Sequence, residues 1–324
     1  MDLDVVFLGT SGGMPTARRA PSALLVRRGG ERILVDCGEG TQRQLLRSTV
    51  GLVDLHEIFL THFHADHYLG LPGMLKTFAL RGREEPLTVY GPAGLRDLFG
   101  SLRRIFGRLS YPVELVELRD GEPLERDGYA IVPFAVRHGV SALGYALVEE
   151  PRPGRFDVEA ADALGVPPGR ERGALQRGES ITLADGKTVT PDAVLGDTRP
   201  GRKIVLAGDT APSDEVRATA GRADLLVHEA TFGEEEADRA RDTLHSTAAA
   251  AAAVARDAEV GLLVLTHLSP RYFGREIEEE ARAVFPETAV ARDFDIVEVR
   301  FEERGGAQLV RRGARPRREE ERTA

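Results

Sequence analysis

Hydrophobic residues along the chain gather in short runs separated by glycine, proline and charge. LDVVFLG (Leu3–Gly9) reads as a strand, and SALLVRR and RILVDCG read as two more on either side of the turn signal Gly29-Gly30. GTQRQLLRS reads as a short helix, EIFLTH (Glu57–His62) as an apolar strand, LPGMLKTFAL as a helix and LTVYGP as a strand. Over Ala93–Gly107 the apolar residues Leu95, Leu98, Leu102, Ile105 and Phe106 recur at helix spacing. VELVEL and YAIVPFAV add strands. In the second half KIVLAGD, DLLVHEA and GLLVLTH are short β-type runs. Helices are predicted over Ser246–Ala258, with Ser246 as N-cap, and over Arg275–Phe285. Each half thus supplies a strand-rich layer and amphipathic helices. The pattern predicts an α/β fold of two sheets packed face to face with helices outside, a four-layer αββα sandwich.

One stretch breaks this pattern. Glu149–Pro191 is rich in Gly, Pro and charge, a composition expected to bury little, and it reads as a flexible arm inserted in a single domain spanning 1–310. The tail from Arg311, RRGARPRREEERTA, reads as disordered.

Composition narrows the function classes. No apolar run is long enough to cross a bilayer, and MDLDVVFLGT has acids where a signal peptide carries basic residues, so a cytoplasmic protein with no membrane partner is expected. The single cysteine, Cys37, follows an apolar run and reads as buried and structural; a Cys-rich zinc cluster is excluded. Any metal must be held by His and carboxylate. The net charge of −9 argues mildly against nucleic acid, though a basic stripe can sit on an acidic protein. Of 43 basic residues only Lys76, Lys187 and Lys203 are lysine; arginine is the better fork for phosphate, and a genome rich in Arg codons would look the same.

The chemistry lies where strands end. EIFLT stops at His62, IVLAG at Asp209, DLLV at His228 and LLVLT at His267, so these four residues are expected to share one edge. At the first of these ends THFHADH packs His62, His64, Asp66 and His67 together. His62 and His64 alternate by two and share a face of extended chain, while Asp66 and His67 come round a turn. Three histidines beside an acid would repel when protonated and do nothing for packing; such a group is a metal site. Two ions need about seven ligands if one carboxylate bridges. The cluster gives four, and His138, Asp209 and His267 are the natural remainder. A lone histidine beside a strand is more often incidental, and His56 is read that way.

HxHxDH resembles the metallo-β-lactamase superfamily, whose αββα fold agrees with the layers read above. Finer segments resemble the ribonuclease Z family: FLGTSGGMPTARRAPSALLV (Phe7–Val26), LVDCGEGTQRQL, THFHADHYLGLPGML, LAGDTAPSD, HEATF (His228–Phe232), LHST (Leu244–Thr247) and LTHLSPRY. The match runs in order to about Arg300. The resemblance implies a homodimeric, zinc-dependent endonuclease that removes the 3′ trailer of precursor tRNA. It implies two Zn²⁺ per subunit, with Mn²⁺ or another divalent ion as a substitute. One ion would lie on His62, His64 and His138 and the other on Asp66, His67 and His267, with Asp209 bridging. Asp66 would accept a proton from the attacking water, and His245, oriented by Glu229, would assist the leaving 3′ oxygen. The Gly/Pro-rich segment resembles the family's arm that grips tRNA. Between Glu149 and Glu179, however, Arg152, Arg155, Arg170, Arg172 and Arg177 face seven acids, and a gripping role needs Arg170, Arg172 and Arg177 at the tip. Arg18 and Arg19 are candidate phosphate contacts. The alternatives are a small-molecule phosphodiesterase or lactonase of the same fold, or an RNA-binding module without metals.

Overall fold

In the computed structural model, which describes residues 1–52 and 55–311, strand β1 (Leu3–Gly9) is buried on both faces. Val5 and Phe7 join one hydrophobic core and Val6 and Leu8 another. A strand with a period-two pattern and two different cores must lie in the middle of a layered structure. The chain continues through β2 (Ala23–Arg28), β3 (Glu31–Val35), α1 (Thr41–Arg47), β4 (Glu57–Phe59), α2 (Ala65–Tyr68) and α3 (Leu71–Leu80). Then come β5 (Leu87–Gly91), α4 (Leu95–Phe106) and β6 (Val113–Glu117), followed by β7 (Leu124–Arg126), β8 (Tyr129–Ala135) and β9 (Leu143–Glu149). The inserted segment contains α5 (Val158–Ala163), α6 (Arg170–Gln176) and the hairpin of β10 (Ile181–Thr182) with β11 (Thr188–Val189). The last part runs β12 (Lys203–Leu206), α7 (Asp214–Ala220), β13 (Leu225–Glu229), α8 (Ala237–Thr243), α9 (Ala248–Asp257) and β14 (Leu262–Thr266). It ends with α10 (Gly274–Val284), β15 (Thr288–Val290), β16 (Ile296–Val299) and β17 (Ala307–Val310).

The first large sheet has the order β17-β16-β1-β2-β3-β4-β5-β6 and the second β15-β14-β13-β12-β9-β8-β7. Each is parallel in one half, β3 to β6 and β12 to β15, and antiparallel elsewhere. Between the sheets lies a core that includes Val5, Phe7, Phe59, Tyr145, Leu206 and Val227. The Phe59 ring stacks on Tyr90 at 4.3 Å and meets Tyr145 edge-on at 5.2 Å. Leu45, Met74, Phe78, Leu102 and Phe106 of α1, α3 and α4 cover the outside of the first sheet. Val216, Ala251, Ala255, Ile277 and Ala281 of α7, α9 and α10 cover the second. The result is the expected αββα sandwich.

The division into halves is less clean than the sequence pattern suggests. Strands β7 to β9 precede the chain's midpoint yet belong to the second sheet, and β16 and β17 return at the end to the edge of the first. The predicted cap of α9 also shifts by one residue. Thr247 is the N-cap and accepts from Ala250 N at 3.1 Å, while the Ser246 hydroxyl donates to Thr210 O at 2.7 Å. In α4, Ile105 points outward and is 73% exposed although its spacing fits the apolar face.

The segment after β9 buries more than its composition suggests. Ala161, Val166, Leu175, Val189 and Val194 form a small core of their own. Single bridges pair Arg152 with Arg199 and Phe156 with Leu195, so the excursion closes near residue 199, beyond the Pro191 boundary read from composition. The predicted tail, apart from Arg311, lies outside the described residues. Cys37 is fully buried, as expected, and burial pushes its thiol far above the ordinary value. Among the described residues no helix is long and apolar enough to cross a membrane.

Candidate metal centre

The parallel halves of the two sheets direct their strand ends to one place. The register of β3 against β4 pairs Val35 with Phe59, so Asp36 and Thr61 leave the sheet side by side. Thr61 N donates to Asp36 Oδ1 at 2.8 Å. His62 and His64 follow on extended chain, and His64 then serves as N-cap of α2, whose single turn brings Asp66 and His67 back toward the strand ends. From the second sheet Asp209 follows β12, Glu229 ends β13 and His267 follows β14, while His138 sits on the turn between β8 and β9.

Two groups of three form, with Asp209 between them. His62, His64 and His138 can place ligand atoms within 4.8 Å of one another, and so can Asp66, His67 and His267. His62 Nε2 and His138 Nε2 lie 3.0 and 3.1 Å from His64 Nδ1. His67 Nε2 lies 3.4 Å from His267 Nε2. Asp209 Oδ2 is 3.8 Å from His62 Nε2, 3.3 Å from His67 Nε2 and 3.2 Å from His267 Nε2.

The outer nitrogens show what these inner ones are. His67 Nδ1 is 2.7 Å from Asp36 Oδ2 and must donate to it. The Thr61 hydroxyl lies 3.0 Å from both Asp36 oxygens, so it donates there and accepts from His62 Nδ1 at 3.0 Å. In the other sheet the Thr231 hydroxyl donates to Glu229 Oε2, 2.6 Å away, and accepts from His267 Nδ1 at 3.0 Å. His138 Nδ1 donates to Leu244 O at 3.2 Å. A neutral imidazole carries one N–H, so in their neutral, cation-binding form all four rings aim an Nε2 lone pair inward. Lone pairs gathered about a carboxylate are a ligand shell for cations, with outer hydrogen bonds fixing each ring.

Electrostatics agree with this reading. Burial, helped by neighbouring His67, pushes His62 down to about 2 and so holds it neutral. Burial alone would do the same to His67, but Asp209 and Asp36 overcome it and raise that ring well above the ordinary value. Burial likewise opposes charge on Asp209, yet His267 and His67 hold its carboxyl well below the carboxylate range. The centre attracts positive charge, and proton and metal compete for the same nitrogen.

Asp66 and His245 flank the centre. Asp66 Oδ2 accepts from Gly13 N at 2.9 Å and faces His267 Nε2 at 3.2 Å. The loop that brings Gly13 there runs so close that a Cβ on Gly12 would stand 2.7 Å from His267 O. His245 Nδ1 donates to Glu229 Oε1 at 2.6 Å, and its ring lies 5.0 Å from His138 and 5.7 Å from His267. Glu229 is fixed in turn by Thr210 N and Thr231 N. Burial works against a charged His245, but Glu229 raises it to about 9.

Some expected residues fall elsewhere. His228 ends the same strand as Glu229 but lies on the opposite face, fully buried, with Nδ1 on Glu229 O. It does not share the edge with His62, Asp209 and His267. His56 is exposed beside Arg83. Arg19 is largely structural, since its Nη1 donates to Thr10 Oγ1 and Ala291 O. Arg172 is tied to Asp162 and Val166 O, and Arg177 to Glu179; Arg18 and Arg170 are exposed. Asp36, Thr61 and Thr231 went unassigned in the sequence. Asp36 obeys the rule that found the others, since the run RILV ends on it.

Residues 16–267 match the metallo-beta-lactamase superfamily. A ribonuclease Z of Methanosarcina acetivorans is 45% identical over 92% of this chain and 99% of its own length. One of Myxococcus xanthus is 50% identical over 83% of this chain and 88% of its own. The crystal structure of human tRNase Z, short form, superposes with a TM-score of 0.65 at 28% identity, covering 92% of this chain and all of that one. Likeness of this extent identifies the chain as a member of the metallo-beta-lactamase superfamily and, within it, of the ribonuclease Z family.

Proposed function

We propose that the protein is a metal-dependent endoribonuclease that cuts precursor tRNA at its 3′ end, leaving a 3′-hydroxyl on the tRNA and a 5′-phosphate on the trailer. The carrying observation is the inward shell of Nε2 lone pairs around Asp209, joined to a Glu229–His245 pair, in a chain of this family. The donor set fits divalent cations, and its mix of imidazole and carboxylate suits zinc. His62, His64 and His138 would hold one ion and Asp66, His67 and His267 a second, with Asp209 serving both. Two such ions supply a Lewis acid for the phosphodiester and a water activated at neutral pH.

The chain's own groups do the rest. Asp66, oriented by Gly13 N, accepts the proton of the attacking water. The new bond forms between that water oxygen and phosphorus, and the bond from phosphorus to the tRNA 3′ oxygen breaks. His245 delivers its proton to the departing oxygen. Glu229 keeps the His245 ring oriented and favours its protonated form. A general acid at this place is what an alkoxide leaving group requires.

The segment after β9 is the natural gripping arm, and Arg155, Arg170 at the start of α6 and Lys187 are exposed cations there without an ion-pair partner among the described residues. Ion pairs as exposed as Arg177 with Glu179 contribute little and can be exchanged for phosphate. Membership of the ribonuclease Z family is what supports a homodimer. The decisive assay is cleavage of a labelled precursor tRNA with and without a chelator. A single chelator-sensitive cut beside the discriminator nucleotide is expected; zinc binding without any cut would refute the tRNA reading.

A further inference from the structure

A groove of about 950 Å³ opens beside the metal centre. One wall is the loop Thr16–Arg19, which continues from Gly13 on Asp66. The other begins at Ser269, two residues past His267, and runs along α10. Five arginines line it against two glutamates. Arg275 is held by Glu279 and Arg282 by Glu278, which answers both acids. Arg19 also lines it, and its Nη2 lies 2.9 Å from the place that a Cβ on Gly274 would take. Arg18 and Arg292 are exposed and have no ion-pair partner among the described residues. Phe273, at the start of α10, is 73% exposed in the same groove.

Unpaired arginines beside an exposed ring are what single-stranded nucleic acid needs: phosphate neutralisation with an aromatic face for stacking. Stacking leaves such a site tolerant of sequence. The geometry points to this groove as the binding track for the unpaired RNA 3′ of the scissile bond, an inference that rests on the endonuclease reading above. Strand polarity follows from length. The groove follows α10, whose eleven residues span roughly 16 Å. On the 5′ side of the cut a tRNA is paired after a single nucleotide, whereas the trailer is unpaired along its whole length. One wall starts three residues past Gly13, which holds Asp66, and the other two residues past His267, so a strand lying there leads away from that half of the centre.

The test compares two precursors of one tRNA, with a ten-nucleotide and a one-nucleotide trailer, and adds direct binding of a fluorescent 5′-phosphorylated RNA decamer. Phe273→Ala with Arg292→Ala alters two exposed side chains and leaves the fold intact by circular dichroism. The wild type should favour the long trailer in kcat/KM, and the double variant should lose that preference and bind the decamer about tenfold or more weakly. Its plot of log affinity against log salt should flatten by about 0.7, because the variant neutralises one phosphate fewer. Equal kcat/KM for the two precursors in the wild type, or an unchanged decamer affinity in the variant, overturns the assignment. Decamer binding that depends on Phe273 and Arg292 in a protein that cuts neither precursor would keep the groove and remove the tRNA reading instead.

Discussion

Strand β12 has a buried charge cluster at each end, and the two follow opposite plans. Before the strand, Glu149 accepts from Arg28 Nε at 3.0 Å and from Arg202 Nε and Nη2 at 2.7 and 2.8 Å. Arg202 also gives hydrogen bonds to Val299 O and Met1 O. The carboxylate there is surrounded by donors. After the strand, Asp209 and Asp66 face Nε2 atoms of rings that, when neutral, carry their proton on the far side. Both clusters are buried and charged, so neither property alone marks a functional site. The distinguishing sign is the balance of donors and acceptors: closed at the root of the arm, and short of positive charge at the other end.

Breaking the open cluster should cost most. Asp209→Ala removes the carboxylate shared by both triads, and activity should fall on the order of 10⁴-fold with loss of bound metal, read by cleavage rate and elemental analysis. Retention of two tightly bound ions would refute the bridging role. His245→Ala should slow turnover by about 10²- to 10⁴-fold with metal content unchanged, since the ring sits beside the shell and is held by Glu229. Loss of metal in that variant would make His245 a ligand.

The closed cluster answers differently. Glu149→Gln should leave the chemistry intact but lower stability by about 3 kcal/mol, because buried Arg202 loses its counter-ion and Arg28 keeps only Glu31, at 3.6 Å. Burial pushes the Glu149 carboxyl up, yet hydrogen bonds from Arg202 and Arg28 outweigh it and hold it below its ordinary 4.5. Its contribution is therefore complete above that pH and is lost as pH falls through the lowered value. Denaturant midpoints should show a wild-type advantage that is constant from about pH 5 to 8 and shrinks on further acidification. An advantage that grew on acidification would contradict the ion-pair account. The smallest effect is expected of Asp36→Asn, which disturbs His67 directly and His62 through Thr61. Metal affinity should weaken about 10- to 100-fold, as measured by competition with a chromophoric chelator.

Much of this was legible in the sequence, because it is local. The alternation of His62 and His64, the turn that returns Asp66 and His67, and the strand ends at Asp209 and His267 are all set by residues near one another in the chain. What was not legible depends on distant pairing. His228 and Glu229 had to fall on opposite faces, but which face looks inward is fixed by the second sheet. Asp36 sat at a strand end like the others, and its role appears only when His67, thirty-one residues later, is brought to it. The membership of β7 to β9 and of β16 is likewise a matter of hydrogen bonding across the fold. The arm shows the limit of composition: glycine, proline and charged residues make up more than half of it, yet five apolar side chains suffice for a core.

The arm leaves the body at the end of β9 and rejoins it at the start of β12, while the metal centre lies past the far end of β12. From Arg202 to Asp209 the chain takes seven steps, mostly along strand, and so covers roughly 20 Å at the usual rise. That interval belongs to the backbone and to no side chain. The molecule thus contains a ruler: the root of the arm is fixed at a set distance from the metal centre, one that surface substitutions in either region leave unaltered.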